Sequence, residues 1–254
     1  MNKISDAFQN GKAFIAYLMA GDPDLETSAE YILTAQDAGA DLIEIGIPFS
    51  DPIAEGEVIE SASARALAAG ARLNGVFDMV GSIKYKMHVP VVFMTYYNPI
   101  FVYGRDRFFQ QCAEIGVCGA IIPDVPFEEQ GEVKSIAKQY GVEIVSLIAP
   151  TSKDRAAKIA ADAEGFIYLV SSLGVTGVRN EITTDIAAII ADIRNVTDIP
   201  VAVGFGISEP SQAAHYAAMA DGVIVGSAIV RIIAEHGKSA ADPLRAYIQM
   251  MKKA

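Results

Sequence analysis

The chain has 254 residues, enough for one large core and typical of a single (β/α)8 barrel. Hydrophobic residues make up 52% and the mean hydropathy is +0.30, which excludes a disordered polymer. A formal net charge of −11 argues against nucleic acid or an anionic membrane surface as partner, but not against a phosphorylated small molecule held by backbone N–H groups.

Residues 4–9 read as a short amphipathic lid helix, and nothing near Met1 has the apolar core of a signal peptide. Residues 13–19 form an apolar strand ended by Gly21-Asp22-Pro23. Helical periodicity runs over 26–38 and stops at Gly39. Residues 41–47 are the next strand, 60–69 and 75–87 are helices, and 89–95 is a strand. A helix at 106–115 leads to a strand at 118–122 that ends in Pro123-Asp124-Val125-Pro126. Helix 128–140, strand 143–148 and helix 153–161 follow, then strand 166–171 leading into Leu173-Gly174-Val175-Thr176-Gly177. Helix 185–194, strand 201–203 with Gly204-Phe205-Gly206, helix 210–219 and strand 222–225 with Gly226-Ser227 complete the pattern. Helices at 228–235 and 243–252 close the chain.

Eight strands alternating with helices imply a parallel sheet, and at this length a closed one. The expected architecture is α/β: one TIM-barrel domain over residues 1–254, with a short N-terminal helix and an extra C-terminal helix. A doubly wound sheet is the competitor, but no Gly-x-Gly-x-x-Gly turn follows the first strand. No apolar stretch is long enough to span a bilayer, so a cytoplasmic protein is expected. Cys112 and Cys118 read as inert buried thiols rather than a disulfide or a metal site.

In such a barrel the chemistry sits on the loops at the C-terminal strand ends. Glu44 is a carboxylate inside an otherwise apolar strand, near that end. It either catalyses or is held by a neighbouring donor; burial would raise its pKa and let it donate and accept a proton near neutrality. Glu55, in the loop beyond, is either a second functional carboxylate or a solvated charge at a helix start. Asp22 and Asp51 each precede a proline and read as turn or capping residues. Tyr168, in an apolar strand, reads as core with a hydroxyl that needs a partner. Gly204-Phe205-Gly206 and Gly226-Ser227 follow the seventh and eighth strands, where this fold commonly binds phosphate.

No lysine lies in any predicted strand, which argues against a Schiff-base aldolase. His88, His215 and His236 fall in helices or at their ends, so neither a catalytic metal site nor a Ser-His pair is expected. Carboxylate acid/base chemistry remains, on a phosphorylated substrate that acts as its own electron sink.

The run Glu44-Ile45-Gly46-Ile47-Pro48-Phe49-Ser50-Asp51-Pro52, with Gly174-Val175-Thr176-Gly177, Gly204-Phe205-Gly206 and Gly226-Ser227, resembles the tryptophan synthase alpha chain family across essentially the whole chain. The resemblance implies a lyase that cleaves indole-3-glycerol phosphate to indole and glyceraldehyde 3-phosphate by protonating the indole ring at C3. It implies Glu44 as the proton-transferring residue, Glu55 as the carboxylate facing the indole N–H, and Tyr168 beside Glu44. Tyr17, Met94, Tyr96, Ile121 and Ile148 would line the indole pocket. Thr176 and Gly177 would lie on a closing loop, and Gly177, Gly206 and Ser227 would bind phosphate with Gly204, Phe205 and Gly226 alongside. No cofactor is implied in this chain; pyridoxal phosphate is expected in a beta-chain partner, within an alpha2beta2 heterotetramer. Pro48, Asp51, Asn98 and Asp124 match positions near that partner, which moves Asp51 from turn residue to partner contact.

The chain departs from the family where Ala54-Glu55-Gly56-Glu57 replaces a common Ala-Asp-Gly-Pro run. The extra methylene of Glu55 requires a loop shift of roughly an ångström, and Glu57 and Glu60 add charge. Reduced or partner-dependent activity is expected. Two further readings are a catalytically weak subunit that binds and activates the beta chain, and a lyase that releases indole on its own.

Overall fold

Eight apolar runs pair in chain order into a closed parallel barrel. They are β1 Ala13–Met19, β2 Leu42–Gly46, β3 Val91–Met94, β4 Gly119–Ile121, β5 Glu143–Ile148, β6 Glu164–Val170, β7 Val201–Gly204 and β8 Gly222–Val225. The structure, a computed structural model, describes residues 2–150, 153–171, 186–204 and 206–253. Thr176, Gly177 and Phe205 lie outside the described residues.

The outer layer is built from α1 Leu25–Asp37, α2 Glu57–Ala68, α3 Leu73–Ile83, α4 Tyr97–Tyr103, α5 Arg105–Ile115 and α6 Gln130–Gln139. It continues with α7 Lys153–Ala161, α8 Ile186–Arg194, α9 Pro210–Ala217, α10 Ser227–His236 and α11 Ala241–Lys252. Alternation divides each strand between two cores. Outward residues such as Phe14, Ile43, Phe93 and Val203 pack under the helices. Inward ones such as Ile15, Leu42, Val92, Phe166 and Ile224 fill the barrel. Both faces are covered, which is why the strands read as nearly continuous apolar runs. No helix among the described residues is long and apolar enough to cross a membrane.

The expected lid helix is instead a 3-10 turn, Ile4–Phe8, at the opposite end of the barrel. Ile4 is fully buried against the starts of β4 and β6: a Cβ on Gly119 would lie 2.6 Å from its Cδ1, and one on Gly165 2.8 Å. The turn therefore plugs the bottom, the end that carries stability rather than chemistry in this fold.

Helix α4 occupies a stretch between strand 89–95 and helix 106–115 to which the sequence pattern assigns no element. Proline is tolerated in a first helical turn, and both Asp124 oxygens accept the Tyr97 N–H, at 2.9 and 3.1 Å, to start the helix. Helix α2 begins at Glu57 rather than at residue 60, with Glu57 and Glu60 in the first turn, where the helix dipole favours negative charge. Both cysteines are buried and unbridged. Burial pushes the Cys118 thiol up to about 12 and Cys112 well above its usual value, so both are inert as nucleophiles.

Candidate active site

Parallel register puts Tyr17 of β1 directly opposite Glu44 of β2, and Glu44 opposite Val92 of β3. Glu44 shares the inward face with Leu42, so its carboxylate points into the upper barrel and is 1% exposed. Neither of its oxygens has a hydrogen-bond partner among the described residues. The expectation of a local donor holding Glu44 in place is therefore not met. Burial, and then the charge of Glu55, raise its pKa to about 8.

Glu55 reaches the same cleft from the loop between β2 and α2. Burial, then the charge of Glu60, raise it to about 7. It is no solvated helix-start charge: the cleft holds both carboxylates together with Tyr17, Met94 and Tyr168 at its base. On the far wall lie Gly206, Gly226 and Ser227, beside the start of α10. The cleft encloses about 540 Å³, counting the space open to solvent at its mouth. Gly206 has φ +79°, a conformation glycine adopts without strain, and its bare backbone leaves room for an oxyanion.

Two glycines shape the floor. A Cβ on Gly204 would lie 2.5 Å from the Tyr168 hydroxyl oxygen and 2.6 Å from its Cε1. A Cβ on Gly46 would meet the Tyr17 hydroxyl, with the ring carbon Cζ 2.7 Å away. Each tyrosine lies across a neighbouring strand at a place where no side chain could fit. Desolvation drives both phenols well above the usual range, so they remain neutral donors. Gly204 therefore serves the site by seating Tyr168, and it is not itself part of the cleft lining.

Not every expected pocket residue enters the cleft. Tyr96 stands behind the loop and holds it: its hydroxyl accepts the Ile53 N–H at 3.2 Å and the Ala54 N–H at 3.0 Å, and its ring packs on Phe49 at 5.4 Å. Burial leads the rise of this phenol to about 12, partly offset by the Ala54 N–H. Ile121 is buried in the inner core, opposite Met94 in the β3–β4 register, and does not line the cleft. Ile148 packs in the helix-facing layer, whereas its neighbour Leu147 packs toward the barrel interior. Ala54, Gly56, Ile59, Ile207 and Ile224 complete the wall and were not expected; strand parity gives Ile224, an inward β8 residue otherwise read as core.

At the mouth, Asp51 and Asn98 are exposed, Pro48 is buried and Asp124 caps α4. Ile53, Phe101 and Val102 are 74%, 60% and 76% exposed, an apolar group beside those positions. Asp22 closes the turn after β1, its N–H donating to the Met19 carbonyl at 3.4 Å, but it caps no helix. It is 2% exposed and ion-paired with Arg65 of α2, while Asp24 supplies the N-cap of α1.

The sequence matches the family described as "Tryptophan synthase alpha chain" over residues 4–254. The chain belongs to this family. A tryptophan synthase alpha chain of Lactiplantibacillus plantarum is 49% identical over 255 residues, covering 100% of this chain and 96% of that protein. A solved tryptophan synthase subunit alpha from Legionella pneumophila superposes with a TM-score of 0.90 at 35% identity, covering 100% of this chain and 98% of that one. A chain of the tryptophan synthase a2b2 complex from Pyrococcus furiosus gives a TM-score of 0.85 at 35% identity, covering 96% of this chain and 100% of that one. Tryptophan synthase alpha chains are lyases of tryptophan biosynthesis that cleave indole-3-glycerol phosphate to indole and glyceraldehyde 3-phosphate. Family membership favours that activity over a subunit that only activates a partner.

Proposed function

We propose that Glu44, Glu55 and Tyr168 carry this reaction in the cleft above the barrel. The observation that supports it most directly is the burial of Glu44 on β2 with a second carboxylate sharing its cleft. At neutral pH Glu44 holds its proton, because desolvation puts it at about 8. It donates that proton to indole C3, making the ring an iminium-like electron sink, while Glu55 accepts the indole N–H. The bond from C3 to the first side-chain carbon then breaks as that carbon's hydroxyl yields its proton to the Glu44 carboxylate. Indole and an aldehyde result, and Glu44 is protonated again.

In this reading Tyr17 and Met94 face the indole, Tyr96 fixes the loop behind it, Ile121 packs beside Met94, and Ile148 supports the pocket from the helix-facing side of β5. Gly206, Gly226 and Ser227, with Phe205 alongside, hold the phosphate at the start of α10, while Gly204 seats Tyr168. Thr176 and Gly177 belong to a loop that closes over the substrate and excludes water.

The chain works with a beta-chain partner in an alpha2beta2 heterotetramer in the cytoplasm, with pyridoxal phosphate on the partner. Pro48, Asp51, Asn98 and Asp124 flank the contact, and exposed Ile53, Phe101 and Val102 supply apolar area that such an interface buries. A single domain over residues 1–254 carries all these roles.

The deciding experiment is indole release from indole-3-glycerol phosphate by wild type and Glu44→Gln, with and without a cognate beta chain. Release stimulated by the partner and lost in the variant is expected. No release under any condition, with the beta reaction still stimulated, would leave an activating subunit instead.

A further inference from the structure

Tyr17 brings a polar group into the cleft that neither a role as indole wall nor the acid/base pair uses. Its hydroxyl is buried and has no hydrogen-bond partner among the described residues, although a buried, unpaired hydroxyl is destabilising. A phenylalanine would fill the same space without that cost. The ring leans past Glu44, its register partner, onto the bare backbone of Gly46 at the end of β2. That tilt carries the hydroxyl toward the cleft mouth and the Glu55 loop. Glu55, ahead of Glu44, is the charge that acts on it most strongly.

The loop around Glu55 is held only up to its backbone. Tyr96 binds the Ile53 and Ala54 N–H groups, and no hydrogen bond fixes the Glu55 carboxylate among the described residues. A glutamate with three rotatable bonds needs such a restraint more than an aspartate would.

We propose that the Tyr17 hydroxyl donates a hydrogen bond to the Glu55 carboxylate in the working enzyme and is a positioning residue that aims Glu55 at the indole N–H. The proposal rests on the lyase reading of Glu55. Both side chains line the same cleft. The orphaned Tyr17 hydroxyl is then satisfied, and the glycine at position 46 becomes a requirement of the catalytic geometry rather than of the strand.

The test is a double-mutant cycle on indole release in complex with the beta chain. Tyr17→Phe is expected to lower kcat about ten-fold while KM moves less than about two-fold; in a Glu55→Gln background it is expected to cost less than about two-fold further. An unchanged kcat in Tyr17→Phe, or the same loss in both backgrounds, overturns the proposal. A urea midpoint at or above that of wild type is expected for Tyr17→Phe, since only an unpaired hydroxyl is removed.

A readout independent of turnover separates this proposal from the lyase reading. In 13C NMR titrations of glutamate-labelled protein, with Glu55 assigned by Glu55→Gln, Tyr17→Phe is expected to raise the Glu55 midpoint, because a donor to the ionised form is lost. Glu44, Glu60, Tyr96 and Tyr168 also face this region and are unchanged in the comparison. A midpoint that stays within about 0.2 units overturns the proposal whether or not the protein releases indole. Absence of indole release by wild type would sink the lyase reading alone.

Discussion

Arg65 donates to both oxygens of Asp22, from Nε at 3.0 Å and from Nη2 at 2.7 Å, and so ties α2 to the end of β1. The two ends of this clamp are unequal. Asp22 is 2% exposed, while the Arg65 side chain is 40% exposed and keeps part of its hydration. Arg65→Met should therefore leave a buried carboxylate without its counter-charge and cost about 3 kcal/mol in urea denaturation at pH 7, the low end for breaking a buried pair. Asp22→Asn, which keeps an acceptor and leaves only an exposed cation, should cost about half as much. Equal losses would mean that the carboxylate is not the strained partner.

Tyr96 controls the loop rather than the substrate. Removing its hydroxyl in Tyr96→Phe deprives two backbone N–H groups of their acceptor. A stability loss of about 1 kcal/mol is expected, with a larger effect on rate, about ten-fold in kcat, because Glu55 rides on the freed segment. Hydrogen exchange reads the cause directly: the Ala54 amide should lose protection while strand amides such as Ile45 keep theirs. Unchanged exchange at Ala54 with reduced kcat would place Tyr96 against the substrate instead.

The strand pattern of this barrel is open to reading because every strand is buried on both faces and is bounded by Gly, Pro or Asp. Strands 13–19, 143–148 and 222–225 end where the apolar runs end. The 3-10 plug at Ile4–Phe8 and helix α4 escaped because their order comes from distant residues: Ile4 is held by Gly119 and Gly165, and α4 is started by Asp124. At the site, Glu44 stands out as a charge in an apolar strand. The Asp22–Arg65 clamp spans 43 positions and leaves no local trace. The seats that Gly46 and Gly204 provide for two tyrosines are invisible too, since the cross-strand register that creates them is a property of the closed barrel.

The two carboxylates set a narrow pH window for the proposed chemistry. Glu55 must be ionised to accept the indole N–H, and it titrates at about 7; Glu44 must begin protonated, and it titrates at about 8. A plot of kcat/KM against pH should be bell-shaped, with its two limbs near these values, belonging to the interacting pair. Glu60 is exposed, and its charge is one cause of the rise in Glu55. Glu60→Gln removes a negative neighbour, so ionised Glu55 is less disfavoured and the acid limb should move to lower pH. Solvent screening limits the shift to about 0.5 units, and it should shrink in 0.5 M salt. An acid limb that does not move would detach Glu60 from the site.

Glu44 should also make the fold itself pH-sensitive. In the unfolded chain it titrates near 4.3, and in the folded protein at about 8, because its carboxyl lies among apolar strands with no donor among the described residues. Its folded pKa is raised, so the folded state binds the extra proton between these values. The stability it confers is fully present below about 4.3, declines as pH rises, and is lost once pH passes about 8. Glu55, raised to about 7, contributes in the same direction over a shorter range. At about 1.4 kcal/mol per unit, Glu44 accounts for a decline of about 5 kcal/mol over the whole range from about 4.3 to about 8. Urea denaturation of wild type and Glu44→Gln at pH 5 and pH 9 isolates it, since glutamine does not titrate and keeps the shape. The variant should gain on wild type by several kcal/mol between the two pH values, while losing indole release at both. A constant difference would mean that water or a rearranged side chain solvates the Glu44 carboxylate, and the proton needed for C3 would then have to come from another group.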